Sequence, residues 1–295
     1  MADELRITER PQLERPVLIA AFRGWNDGGQ GASLAGAYLA RAWAAEEFAS
    51  IDSENFYDFQ ATRPMVSLVD GYTRKIAWPE NTFLHAPVPG GGRDAIILLG
   101  VEPNLRWRSF AAHVSGLAKE LGVELVVTLG SLLADVPHTR PAPVTGSAND
   151  RELIERLGLQ PSRYEGPTGI VGVLHDACMQ AGIPSASLWA AVPHYVSLTP
   201  SPRAAKALVD RLAELLGADV DTAELDEAAD SYAQQVSDAV ASDEETLAYV
   251  QELERRIDEL AEEADLPSGD AIAAELTRFL REREDGGDDD VAREQ

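Results

Sequence analysis

Apolar residues fall into two rhythms along the first 217 positions. Short unbroken runs at residues 17–22 (VLIAAF), 94–100 (DAIILLG), 123–129 (VELVVTL) and 185–192 (SASLWAAV) predict buried strands. Residues 33–43, 105–121, 168–181 and 202–216 predict helices; in the second, Leu105, Phe110, Val114, Leu117 and Leu121 mark one stripe. Weaker β-like runs lie at 65–69, 75–78 and 82–88. A strand–helix–strand succession implies parallel neighbours joined by right-handed crossovers. Strands this apolar need helices over both faces. The predicted fold is α/β, a three-layer arrangement with a mixed sheet and parallel strands at 17–22, 95–99, 125–129 and 187–191.

Beyond Gly217 only helical spacing remains. Leu225, Ala229, Tyr232, Val236 and Val240 form one stripe, and Val250, Leu253, Ile257, Leu260 and Ala264 a second. Ser242 with Glu245 three residues on is a capping-box signal for the second helix. Pro267-Ser268-Gly269 ends it, and Ile272, Leu276, Phe279 and Leu280 mark a third. These stripes predict helices packed on the body or on one another, with intermolecular coiled-coil pairing as the alternative. Residues 285–295 are acidic and contain glycine, so they are expected to be disordered. The organisation predicted is a body at 1–217, an acidic helical subdomain at 218–284 and a tail at 285–295.

Charge sharpens that boundary. The 295-residue chain has a formal net charge of −25. Residues 1–217 hold 24 acidic and 19 basic residues, whereas residues 218–295 hold 26 and 6. Such a surface repels phosphate backbones, so nucleic acid is not an expected partner. No apolar run approaches the ~18 residues of a membrane span. The opening MADELRITERPQLERP lacks the apolar core of an export signal. A single cysteine, Cys178, fits a reducing compartment. The expected location is cytoplasmic.

Candidate chemistry lies in the segments after the strands, because open α/β sheets bind ligands beyond the carboxyl ends of parallel strands. These segments supply Trp25, Asn26 and Asp27, then Glu102, then His138 and Arg140, then His194 and Tyr195. They are expected to line one concavity, in which histidine titrates near neutrality and Arg140 can hold an anion. The competing reading is structural: proline fixes each loop and histidine bonds a neighbouring one. No nucleophile is visibly paired with either histidine, so no catalytic residue is assigned. The first glycine loop fails as a phosphate loop, because Gln30 and Gly31 follow Gly29 where Lys and Ser or Thr are required. It also lacks the third glycine of a dinucleotide fingerprint. His85, His113 and His175 are scattered, and no Cys/His spacing matches a zinc site. Cys178 sits on a predicted apolar face and reads as buried and inert. No cofactor or metal is expected.

Several motifs occur in a telling order: Gly24-Trp-Asn-Asp27, Phe56-Tyr-Asp-Phe59, Gly100-Val-Glu-Pro103 and Pro137-His-Thr-Arg-Pro141, then Gly166-Pro-Thr-Gly169, Trp189-Ala190, Val192-Pro-His-Tyr195 and Ser201-Pro-Arg203. With them the chain resembles the proteasome assembly chaperone 2 family, in its bacterial, actinobacterial-type branch. The resemblance covers about 17–217, and the helix at Leu266-Pro-Ser-Gly269 is similar to that branch's tail. It implies a domain like that of nucleoside phosphorylases and homo-oligomers among relatives, with a trimer the expected order. It also implies non-enzymatic chaperones acting on proteasome subunits. Some of these dock through a C-terminal hydrophobic–Tyr–any tripeptide, from which Val291-Ala-Arg-Glu-Gln295 departs.

Two functions follow as expectations. The first is a homo-oligomeric, chaperone-like domain that binds a protein, with a proteasome-related partner in view. The alternative is a phosphorylase-like or hydrolase-like enzyme that holds a phosphate-bearing or other anionic small molecule on the histidine–arginine rim. Fold alone does not carry the second.

Overall fold

The computed structural model describes residues 4–148, 150–161, 165–196 and 200–265. In chain order the elements are β1 (Leu5–Ile7), β2 (Val17–Arg23), α1 (Gly31–Ala42), β3 (Glu46–Ile51), β4 (Met65–Val69), β5 (Thr73–Ala77), β6 (Asn81–Val88), β7 (Arg93–Val101) and α2 (Trp107–Glu120). There follow β8 (Leu125–Ala134), β9 (Val144–Ala148), α3 (Arg151–Leu157), β10 (Gln160–Pro161), α4 (Ile170–Ala181), β11 (Ser185–Pro193), α5 (Pro202–Leu216), α6 (Ala223–Val240) and α7 (Glu244–Asp265).

Nine strands form one mixed sheet in the order β1-β3-β6-β7-β2-β8-β11-β9-β10. Its centre, β7-β2-β8-β11, is parallel throughout, as the apolar runs predict. β6 and β3 extend one side and β9 the other, all antiparallel to their inner neighbours. Strand side chains alternate between faces, and the core divides accordingly. Val17, Ile19, Val127 and Leu188 pack with α1 and α5 on one face. Leu18, Phe22, Ile96 and Val126 pack with α2 and α4 on the other. Burying each large aliphatic side chain stabilises by about 1.5–3 kcal/mol, which is why the four apolar runs settle in the middle of the sheet.

Three elements differ from the sequence expectation. β8 begins at Leu125 and continues to Ala134, so Gly130 and Ser131 are strand residues rather than the start of a loop. β11 pairs with β8 along its whole length, and the Trp189 ring lies over Gly130. A Cβ at Gly130 would sit 2.5 Å from that ring. Close approach, not a turn, explains this glycine. α2 starts at Trp107, because Arg106 takes the left-handed conformation (φ 52°), and Leu105 is left exposed outside it. The runs at 65–69 and 75–78 do not join the main sheet. They form the separate antiparallel hairpin β4–β5.

α6 packs on α5, and α7 packs back on α6. Leu225, Ala229, Tyr232, Val236 and Val240 are all buried, as are Val250 and Leu253. The third helix expected near 268–280 and the tail at 285–295 lie outside the described residues.

Candidate functional site

The loop after β2 is pinned by two carboxylates. Asp27 caps α1: its Oδ1 accepts from the backbone N–H groups of Ala32 (2.9 Å) and Ser33 (3.1 Å), and its Oδ2 from the Ser33 hydroxyl (2.6 Å). An anion there also complements the positive end of the helix. Glu102, just past β7, joins three segments. Its Oε1 accepts from the Ile170 N–H (2.8 Å) and the Asn26 amide (3.1 Å), and its Oε2 from the Trp25 N–H (3.2 Å). Gly24 makes this approach possible. Its φ is 142°, and a Cβ there would come within 2.9 Å of the Glu102 Cβ.

This loop lines an open groove of about 990 Å³. Trp25, Asn26 and Asp27 line it, and Glu102 lies behind Asn26. Its floor is the stretch of sheet face beside α4: Thr145 and Ser147 of β9, and Ser185, Ser187 and Trp189 of β11. One wall is an α4 stripe at Val171, His175, Asp176 and Met179. Trp25, Leu132, Leu133 and Met179 expose apolar surface around it. His175 is held neutral. Its Nδ1 lies 2.8 Å from the Ser185 hydroxyl and its Nε2 3.0 Å from that of Thr128. Burial pushes its pKa down to about 4.

The remaining four expected residues share the same sheet edge but form a second group, engaged by the acidic helices. Arg140 makes a two-pronged pair with Asp258 of α7 at 2.8 and 2.7 Å, with Glu254 at 3.6 Å. The guanidinium in turn holds the Asp258 carboxyl below its usual range. Thr139 donates to Glu254. The His138 N–H donates to the Tyr195 hydroxyl (2.8 Å), which also lies 2.8 Å from the His138 Nδ1, and Nε2 lies 3.0 Å from Ser237 Oγ of α6. Burial lowers the pKa of His138 and raises that of Tyr195 to about 12. His194 lies 3.2 Å from Asp135 and stands edge-on to Tyr249 of α7. His138 and Arg140 line only a water-sized void of about 10 Å³, with Tyr232 of α6 on its wall.

The expected single concavity is thus two places. Trp25, Asn26, Asp27 and Glu102 gather at the groove, and His138, Arg140, His194 and Tyr195 lie under α6 and α7. The sequence reading passed over His175, Ser185, Ser187 and Ser147 as groove residues. Their signal is Ser185-x-Ser187-x-Trp189, a polar alternation inside an otherwise apolar strand, which marks a face with no helix over it. Elsewhere His113 pairs with Glu4, and Cys178 is buried with its pKa raised to about 12. Among the described residues no cluster of three His, Cys, Asp or Glu is placed to hold a metal ion. None of the described helices is long and apolar enough to cross a membrane.

Comparison with known proteins agrees with this architecture. The PAC2 family model matches residues 21–240. The fold is similar to that of a PAC2 family protein from Streptomyces avermitilis, at 48% identity and TM-score 0.72, over 80% of this chain and 99% of that one. It is also similar to a Mycobacterium tuberculosis proteasome-assembly chaperone homologue, at 46% identity and TM-score 0.72, over 79% and 99%. An archaeal proteasome activator from Pyrococcus furiosus shares the fold at 20% identity and TM-score 0.64, over 80% and 97%. A search of curated proteins finds no match.

Proposed function

The chain belongs to the PAC2 family, and from that premise we propose that it is a non-enzymatic, homo-oligomeric, chaperone-like protein that binds another protein in the cytoplasm. Its similarity at 46% identity to a proteasome-assembly chaperone homologue from Mycobacterium tuberculosis supports a proteasome-related partner. A trimer is the proposed order. In this reading residues 1–217 present the binding surface, and the acidic helices from 218 onward clasp one edge of it.

One observation carries the proposal. The two carboxylates beside the groove have their oxygens engaged as helix and loop caps, while Trp25, Leu132, Leu133 and Met179 stand exposed around it. General acids and bases need a reacting group within reach and a proton to move. Asp27 and Glu102 instead accept from backbone N–H groups. An exposed apolar rim is the mark of a protein-binding surface. The enzyme reading required Arg140 to receive an anion, and that guanidinium already holds Asp258.

Two measurements decide between the readings. Gel filtration with the purified proteasome core particle of the source organism is expected to show co-elution. A thermal-shift screen with phosphate, nucleosides and nucleotides is expected to leave Tm unchanged, since a ligand bound to the native state raises it. A rise with phosphate that Arg140→Ala abolishes, without co-elution, would replace the chaperone reading with the enzymatic one.

A further inference from the structure

Three buried polar atoms gather where α6 crosses the start of α5, and none of them has a hydrogen-bond partner. They are the Ser201 hydroxyl, the Arg203 Nε and the Tyr232 hydroxyl. Ser201 is 1% exposed and Tyr232 7%. All three residues line the void of about 10 Å³ beneath α6. The serine hydroxyl is near enough to temper the upward push of burial on the Tyr232 pKa, yet the two oxygens form no hydrogen bond of ordinary geometry. Buried polar groups are costly to leave unpaired, so three around one void point to a ligand that they share.

The site is built of donors. The Arg203 Nε–H can only donate. Its guanidinium gives Nη1–H to the Arg140 carbonyl (3.2 Å) and has no carboxylate partner among the described residues. The acids of α7 on this side are engaged elsewhere, Glu254 by Thr139 and Asp258 by Arg140. Ser201 precedes the 15-residue helix α5 without capping it, and Pro202 opens that helix. The N–H groups of Arg203 and Ala204 therefore stand at its positive end with no intrahelical acceptor, and both residues line the void. The remaining polar side chains of the wall are occupied: His138 by Tyr195 and Ser237, and Arg140 by Asp258.

We propose that this void is a binding site for one monatomic anion, chloride being the common one, held by Arg203 Nε–H and the hydroxyls of Ser201 and Tyr232. The volume takes a single water-sized particle, and phosphate with its five heavy atoms exceeds it. Water also fits, but it leaves the guanidinium uncompensated beside a helix N-terminus; an anion answers both. Ser201 and Arg203 belong to the body and Tyr232 to α6, so the anion fastens the acidic helices to the body. In a chain of net charge −25, salt then acts at this point as a ligand rather than a screen. The site lies apart from the groove and does not depend on the protein-binding reading above.

The test uses the full chain in sodium chloride and in sodium gluconate at equal ionic strength, gluconate being far too large for the void. A ligand of the closed form multiplies protection by 1 + [L]/Kd, so protection of the 229–240 amides against hydrogen exchange should rise about tenfold when chloride stands at about ten times its Kd. The double variant Ser201→Ala, Tyr232→Phe removes two oxygens that have no partner. In gluconate it should be protected at least as well as wild type, and it should lose the chloride response. Crystals soaked in sodium bromide should show an anomalous peak within hydrogen-bonding distance of the three atoms. An ordered water in that place, equal wild-type protection in the two salts, or a chloride response that survives the double variant overturns the proposal. A bromide peak without a chloride response marks an adventitious ion only and overturns it as well.

Discussion

The Oε1 of Glu102 lies 2.8 Å from the backbone nitrogen of Ile170, so a residue at the end of β7 caps the first turn of α4. α4 has no side-chain cap of its own at Gly169. The same carboxylate holds Asn26 and Trp25, and through them the mouth of the groove.

Glu102→Ala should therefore destabilise the fold. It strips the acceptor from the Ile170 N–H and the Asn26 amide, and an unpaired buried donor costs about 1–3 kcal/mol. Glu102→Gln keeps an acceptor oxygen and should lose less. Urea unfolding of the two variants measures this. Equal stability of Glu102→Ala and wild type would mean that the carboxylate is free to act on a ligand.

His138 links the body to α6 through Ser237. Burial lowers its pKa below the ordinary 6.5, with Glu254 opposing that shift and Arg203 adding to it. The folded form thus prefers neutral imidazole. Its contribution is present above pH 6.5 and is lost as pH falls through the lowered value. Protonation leaves a hydrogen on both ring nitrogens, so the hydroxyls of Tyr195 and Ser237 must then both accept. Protection of the 232–240 amides against hydrogen exchange, corrected for the intrinsic rate at each pH, should fall between pH 7.5 and 5.5 more than protection of 125–129. An equal change in both segments would remove His138 as the latch.

How far the sequence was readable depended on where each partner lay. The central strands were legible because burial on both faces leaves an unbroken apolar run, as in Ala95–Leu98. α5 was legible because its stripe and Pro202 are local signals. β3 was not, since EEFASI mixes exposed glutamates with one buried face and has no run to detect. The site was harder. All eight residues follow the carboxyl ends of the parallel strands β2, β7, β8 and β11. Their separation into two groups depends on contacts 99 to 118 positions apart, His138 with Ser237 and Arg140 with Asp258. No spacing rule reaches that far. The groove itself is a stretch of sheet that no helix covers, a property of the layers rather than of any one segment.

His175 gives a second and steeper pH response. Its ring nitrogens face the hydroxyls of buried Thr128 and half-buried Ser185, and burial lowers its pKa from 6.5 to about 4. Between those values the unfolded chain binds a proton that the folded chain does not, so stability falls as pH falls. Across the whole window the loss is about 3 kcal/mol. Most carboxylates titrate near the lower end, so the comparison belongs between pH 6.5 and 5. His175→Gln should start less stable and show a flatter Tm profile over that range. A profile parallel to wild type would show that His175 does not govern the acid response.

The acidic helices pose the remaining question, whether α7 holds to the body against its own charge. Residues 218–295 carry 26 acids against 6 bases, and that repulsion reaches about 10 Å at 0.1 M salt and further below it. Opposing it are the buried side chains of Val250 and Leu253 and the contacts of Tyr249, Glu254 and Asp258 with the β8–β9 connection. Exposed ion pairs contribute little, so the apolar contacts must decide. Leu253→Ala removes the more deeply buried of the two residues and should cost about 2–5 kcal/mol of local stability. By the usual conversion of 1.4 kcal/mol per factor of ten, exchange across 247–259 should then be at least about 30-fold faster, and lowering the salt should accelerate the variant more than the wild type. In the wild type the same amides should exchange slowly even at low ionic strength. Rapid exchange there at moderate salt would show that α7 is not a stable helix, and the clasp over His138 and Arg140 would fall with it.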